Sequence, residues 1–494
     1  MLVKCTLWLS DPLLNLALSR SVPLNPADAL AFSAVQPAQL RTRPVGLSVV
    51  AGLPATWLIG LGALALLTAL FGRDSAFLTS MAACLIAIIV LHRWVVLRAA
   101  PAASLLAMVV IFLAKCALSY WMWTAWYYTP GAKPESLQVI REEGGADTNS
   151  AVLAVGAAVD YWNTYGFTMP IPQSHYIPTN HRLPVHLLAV PCYLSAVYSE
   201  VAIPWNALYS LIAASGIAGI ASRMRLAPEK RRLAFTVALL LPFSWLTFGF
   251  YKDILLQACL VLVVFALLAS VHRVALFVPV AAAGAWLLYG FRTPYMILTV
   301  LCAAYIWSFE RSSRRLSPRV ALGALTLLLL LTCTPFLSRF FSEVTVNYQP
   351  SDTEHVPFAF SSGPLSPVKR VIVGLLVPFP WTQPFEIGPL SYTQIPGYAQ
   401  VTLTLAMLAL VVPAFLRSAR IRVALPAVLV CALAWMITGM GGANIHSGYV
   451  QVAAILLVPC ISITDPIRLR QSIAKSFVFL LCGNIIWLLV RPGY

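Results

Sequence analysis

Residues 223–232 read Arg223-Met224-Arg225-Leu226-Ala227-Pro228-Glu229-Lys230-Arg231-Arg232, a run of bases opposed only by Glu229. It separates two apolar runs of helix length, 205–222 and 232–249. Short loops rich in Lys and Arg stay on the inner face of a membrane, so the chain enters and leaves this stretch from inside. The same kind of gap recurs with Arg311, Arg314, Arg315 and Arg319, then with Arg417, Arg420 and Arg422, then with Arg468, Arg470 and Lys475. The alternate gaps carry most of the acids, among them Asp147, Asp160, Asp253, Glu343, Asp352, Glu354 and Glu386. Alternation of this kind is the positive-inside pattern of a polytopic helical membrane protein, an all-α fold.

The topology turns on residues 185–199. Read as a full span, they would put Arg223–Arg232 outside, against the charge rule; read as a helix along the membrane surface, they leave it inside. With the second reading, thirteen spans of roughly 20 apolar residues are expected. They cover 53–71, 76–92, 102–126, 205–222, 232–249, 254–271, 274–290, 294–309, 319–336, 398–416, 423–440, 449–464 and 476–490. The chain then divides into an inner-surface tail, 1–52, spans one to three in 53–126, and a first long outer loop, 127–204. Spans four to nine fill 205–336, a second long outer loop covers 337–397, and spans ten to thirteen fill 398–494. The N-terminus is expected on the cytoplasmic side. Leu7–Leu18 is short, is interrupted by Asp11 and Pro12, and does not read as a cleavable signal peptide. The tail reads as an inner-surface segment or an over-extended translation start. Neither an internal repeat nor the paired broken helices of many transporters is apparent.

Composition agrees with the membrane reading: 60% of the 494 residues are hydrophobic and 10% charged, unlike a soluble protein of this length. A net charge of +16 invites a nucleic-acid partner. Sorting by side removes that reading, because the inner segments hold two thirds of the Lys and Arg and under a third of the acids. Most of the 10 cysteines fall within apolar runs and read as small packing residues; no zinc spacing occurs. Cys192 alone is expected outside, so no outer disulfide is.

Two outer segments carry polar clusters. In the first, Gly144-Gly145-Ala146-Asp147-Thr148-Asn149-Ser150 opens a small-residue run ending at Asp160-Tyr161-Trp162-Asn163-Thr164-Tyr165-Gly166. A polar, Pro-rich piece with His175, Asn180, His181 and Arg182 follows, then the apolar run from Val185. An acid shortly after an in-to-out helix, a small-residue helix and then a surface helix resembles the first outer loop of GT-C integral-membrane glycosyltransferases. That resemblance implies Asp147 as base or metal ligand, a sugar donor carried on a polyprenyl phosphate, and possible use of Mg or Mn. A carboxylate there can take a proton from an acceptor hydroxyl, or hold a divalent ion against a phosphate. Asp147 ahead of an apolar helix also reads as an N-cap, a compatible role. Asp160 is a further catalytic candidate. Thirteen residues at about 100° each set it about 220° round a helix from Asp147, so one continuous helix cannot aim both at one metal.

Gly249-Phe250-Tyr251-Lys252-Asp253 forms an outer turn. The GT-C resemblance makes Asp253 a second catalytic acid and, with Asp147, a metal ligand; Lys252 can meet a phosphate as a point charge. A solvated turn with a local Lys–Asp pair is the plainer alternative. Arg292, in Gly290-Phe291-Arg292-Thr293-Pro294, and His446, near Tyr449, are candidate pyrophosphate ligands or interface anchors. The His446 turn resembles a late turn of polysaccharide-assembly membrane enzymes, without their Arg. In the second long loop, Lys369 and Arg370 can hold a lipid phosphate or solvate the start of a surface helix. Pro378-Phe379-Pro380-Trp381 resembles a feature of polysaccharide-associated membrane proteins, although Trp381 suits an interfacial aromatic belt better. Lys115 lies well inside a span, where a base either snorkels to the interface or meets a bound phosphate.

The resemblance implies an enzyme of the bacterial inner membrane. It would move a sugar from a polyprenyl-phosphate donor to a glycan, lipid or protein acceptor on the outer face, with no nucleic-acid partner. An O-antigen or exopolysaccharide polymerase or ligase acting on undecaprenyl-diphosphate-linked glycan is the near alternative, resting on bases instead of acids and needing no metal. A transporter or lipid flippase fits less well, since the spans hold almost no acids.

Overall fold

The computed structural model describes residues 75–122, 146–168, 182–194, 201–245, 252–291 and 456–490, with helical pieces inside 295–307 and 399–413. All belong to the unit Gly60–Tyr494. The described residues are helices and their connecting turns, with no strand among them, as expected of an all-α chain.

Helix α1, Ser75–Leu91, is built from Ala, Leu, Ile and Met with neither Gly nor Pro. It runs on through a π-helical turn, His92–Val96, to Leu97–Ala99. The following turn is tied by the His92 ring, whose Nε2 lies 2.9 Å from the Ala103 carbonyl oxygen. Helix α2, Leu105–Met122, then returns antiparallel, and at the far end the rings of Phe77 and Tyr120 stand 5.4 Å apart. The segment 127–204 contributes α3, Ala146–Tyr165, and α4, Arg182–Leu194. The surface helix expected over 185–199 therefore starts three residues earlier, with Pro191 inside it.

Helix α5, Ala202–Arg223, is buried along most of its length and packs against α1 and α2. It also packs against α6, Pro228–Leu239, and α7, Lys252–Ser270. Its central run Ala213-Ala214-Ser215-Gly216-Ile217-Ala218-Gly219 lacks bulk, which lets neighbouring backbones approach closely. A Cβ at Gly216 would stand 2.7 Å from Val261 Cγ1, and one at Gly219 2.9 Å from the Phe265 ring, so α7 fits against these two positions. Helix α8, Val274–Tyr289, folds back along α7. The last helix, α9, Pro466–Val490, begins ten residues before the expected 476. Asp465 caps it by accepting the Arg468 amide at 2.8 Å, and Pro466 opens it without an orphan donor. That local chemistry carries the helix back through Arg468, Arg470 and Lys475.

The span expected at 232–249 differs most. Its α-helix begins earlier, with Pro228 at the first turn, and ends at Leu239. A 3-10 turn follows over Pro242–Trp245. Proline lacks an amide proton and its ring clashes with a preceding carbonyl, so Pro242 ends the regular helix. Twelve residues rise about 18 Å, short of the roughly 30 Å of a hydrocarbon core.

Among the described residues, two segments, Phe77–Ala99 and Ala202–Arg223, are long and apolar enough to cross a membrane. Around the buried α5, the peripheral helices turn large apolar side chains outward: Ile86 and Trp94 from α1, Val110 and Trp121 from α2, Val278 and Trp286 from α8, Phe477 and Phe479 from α9. Water would not tolerate such a surface on an isolated soluble chain, whereas lipid would.

Candidate functional site

Lys115 lies inside the bundle with no exposed surface. Its ammonium donates to Ser210 Oγ and Ser244 Oγ, each at 2.8 Å, and stands 5.5 Å from the centre of the Trp245 ring. The two hydroxyls are oriented to accept: Ser210 donates its proton to the Ala207 carbonyl at 2.7 Å, and Ser244 to the Leu241 carbonyl at 2.6 Å. Among the described residues no carboxylate lies beside the ammonium. One turn on, Ser119 donates to the Trp245 carbonyl at 3.5 Å. Lys115 and Ser119 share a face of α2 by their i, i+4 spacing, and both meet the 3-10 turn. Lys115 does not snorkel; α5 and the helix break supply its acceptors. Ser210, Ser244 and Trp245 escaped the reading of the sequence, although Pro242 inside an apolar run marks the break that presents two of them.

A second cluster joins α3 to α4. The buried Trp162 ring stands 4.6 Å from Phe167, 5.5 Å from Tyr193 and 6.2 Å from His186. Its Nε1 donates to the Thr168 carbonyl at 2.9 Å. Gly166 takes a φ of +82°, open to glycine without strain, and its amide bonds to the Trp162 carbonyl at 2.9 Å. That ends α3 and turns Phe167 back onto the indole. Tyr165, Phe167 and Leu194 are exposed beside the cluster. The α4 helix is fastened to the bundle by the Tyr209 hydroxyl on the Leu187 carbonyl, 3.4 Å, and by the Leu183 amide on the Gly290 carbonyl, 3.4 Å.

Asp147 lies at the start of the described part of α3. Asp160 lies on the same unbroken helix, and its side chain is exposed. Thirteen residues of helix separate the two by about 20 Å along the axis, so they do not share a metal. The aromatic contacts of α3 with α4 are made at Trp162, two residues after Asp160. Lys252 and Asp253 open the described part of α7. The side chains of Asp147, Lys252 and Asp253, and all of Arg292, Lys369, Arg370 and His446, lie outside the described residues. Among the described residues, no three His, Cys, Asp or Glu side chains gather as a metal would require. Cys84, Cys116, Cys192, Cys259, Cys302 and Cys460 are buried free thiols in packing positions.

Comparison with known protein families, curated proteins and solved structures finds no match to the chain.

Proposed function

We propose that the chain is an integral-membrane glycosyltransferase of the GT-C kind. It moves a sugar from a polyprenyl-phosphate donor to a glycan, lipid or protein acceptor at the outer face of a bacterial inner membrane, and its N-terminus is cytoplasmic. The outward apolar side chains of α1, α2, α8 and α9 support a polytopic membrane protein, for which the charge pattern of the loops suggests about thirteen spans. The observation that carries the catalytic reading is the docking of α4, from the first long loop, onto the end of α8 through Leu183 and Gly290. A loop folded against the bundle is what a site at the membrane surface needs: it holds polar groups at headgroup depth and excludes water from the reacting bond.

In this reading Asp147 or Asp160 takes the acceptor proton. Asp253 and Lys252, at the start of α7, engage the donor phosphate, with Mg or Mn where a metal takes part. Lys369, Arg370 and His446 complete the anionic subsite. The same docking contact favours a second reading, an O-antigen or exopolysaccharide polymerase or ligase. It brings α4 to Gly290, two residues ahead of Arg292 in the chain. Glycan transfer by the purified full-length protein in lipid, with extracted polyprenyl-linked sugars, separates the two. Loss of transfer in Asp147→Asn or Asp160→Asn, with donor binding retained, supports the acid-dependent transferase. Full activity in both, with loss in Arg292→Ala, supports the polymerase or ligase.

A further inference from the structure

We infer that Lys115 is a positioning residue: it fastens the helix break Pro242–Trp245 to the bundle and thereby sets where the turn carrying Lys252 and Asp253 begins. Its bearing on transfer rests on the function proposed above; its mechanical part does not. Three contacts from one face of α2 converge on two adjacent residues of the break. The Lys115 ammonium donates to the Ser244 hydroxyl and faces the Trp245 ring, and the Ser119 hydroxyl donates to the Trp245 carbonyl. The remaining bond, to Ser210, anchors the same ammonium to α5, the most buried helix of the bundle.

The 3-10 turn keeps the Ser244 amide on the Leu241 carbonyl at 2.9 Å, but bonds of this type have poorer geometry than those of an α-helix, so contacts from neighbouring helices weigh more in holding it. A lysine is suited to the task, since one ammonium offers three donors and can bond two elements while meeting an aromatic face with the third. Both serines turn their protons to backbone carbonyls and their lone pairs to the ammonium, so the pocket is shaped for this cation. Trp245 is seven residues ahead of Lys252, where α7 starts. On this inference the position of the break is passed along the chain to the start of α7, whose body is held separately against α5 at Gly216 and Gly219.

Lys115→Met tests this without orphaning a group. Methionine is similarly long and unbranched, and Ser210 and Ser244 keep their bonds to Ala207 and Leu241. In hydrogen exchange on the full-length protein in lipid nanodiscs, amides of 240–254 in the variant are expected to exchange about tenfold faster, those of α5 unchanged. Ser244→Ala, which removes one acceptor and leaves the charge with Ser210, is expected to loosen the same peptide. Unchanged exchange over 240–254 in either variant overturns the inference. Acceleration across α5 and α7 alike also overturns it, because Lys115 is then a general stabiliser of the core.

In the transfer assay Lys115→Met is expected to raise the donor KM severalfold, because Lys252 and Asp253 engage the donor phosphate, and Ser244→Ala to raise it in the same sense. A raised KM in Lys115→Met with Ser244→Ala unaffected marks direct contact of Lys115 with the donor phosphate and overturns positioning. If the wild-type protein transfers no sugar, the transferase reading fails, and the exchange result alone decides the fastening.

Discussion

The ammonium of Lys230, in the first turn of α6, donates to the carbonyl oxygen of Ser462 at 2.8 Å, across 232 residues of chain. Ser462 lies at the end of the helical segment 456–463, where carbonyls lack partners within the helix and the dipole is negative. A cation there satisfies both. The contact also puts 228–230 and 462–465 at one end of the bundle, as sorting the charges by loop requires. Lys230→Met should cost about 1–2 kcal/mol. The check is the thermal midpoint of the detergent-solubilised protein; an unaltered midpoint would mean that solvent replaces the bond.

The approach of α5 to α7 should be the most size-sensitive contact of the bundle. Gly216→Ala pushes against Val261, and Gly219→Ala against the flat ring of Phe265. Each should destabilise by about 1–3 kcal/mol through overpacking, and the double variant by more than either. Phe265→Leu in the Gly219→Ala background should restore part of the loss, which thermal unfolding would register. Absence of rescue would show that the strain falls elsewhere.

Gly290 has a different task, since its neighbour belongs to α4. A Cβ there would stand 2.8 Å from Leu183 Cβ and would press α4 off the end of α8. Gly290→Ala is expected to leave the bundle folded and to expose 182–187 to proteolysis or to labelling of an introduced cysteine. Under the proposed function, transfer should fall at least tenfold. Normal transfer with α4 released would separate the docking of α4 from catalysis.

Trp286 on α8 is 71% exposed, while Trp162 is 1% exposed. In vesicles containing lipids brominated along the acyl chains, part of the intrinsic fluorescence should be quenched. Trp286→Phe should remove a measurable share of that quenching; Trp162→Phe should not. Equal effects from the two substitutions would argue against lipid contact along α8.

Helix existence was legible wherever the signal was local. Apolar runs placed α1, α2, α5, α7 and α8 within a few residues of the expected spans, because backbone satisfaction in an apolar medium leaves helix as the available structure. The misreadings were also local in origin. Pro242 cuts the run 232–249, and the Asp465-Pro466 cap starts α9 well before its apolar part. Both signals are present in the sequence, but a window that averages hydropathy conceals them. Of the candidate site residues, Asp147 and Asp160 could be told apart by helix arithmetic alone. That Trp162 would meet His186 and Tyr193 could not be foreseen, because it depends on how α3 packs against α4.

By itself, the sequence determined an all-helical chain with alternating loop charge and the approximate positions of its helices, because periodicity, hydropathy and capping act over one or two turns. It also marked Lys115 as a base stranded in an apolar run. Only the tertiary structure decided how that base is accommodated. Its acceptors lie 95 and 129 residues away, on α5 and on a turn made by a broken helix. Hydrogen bonds of that span follow from helix packing, which a local pattern of residues does not encode.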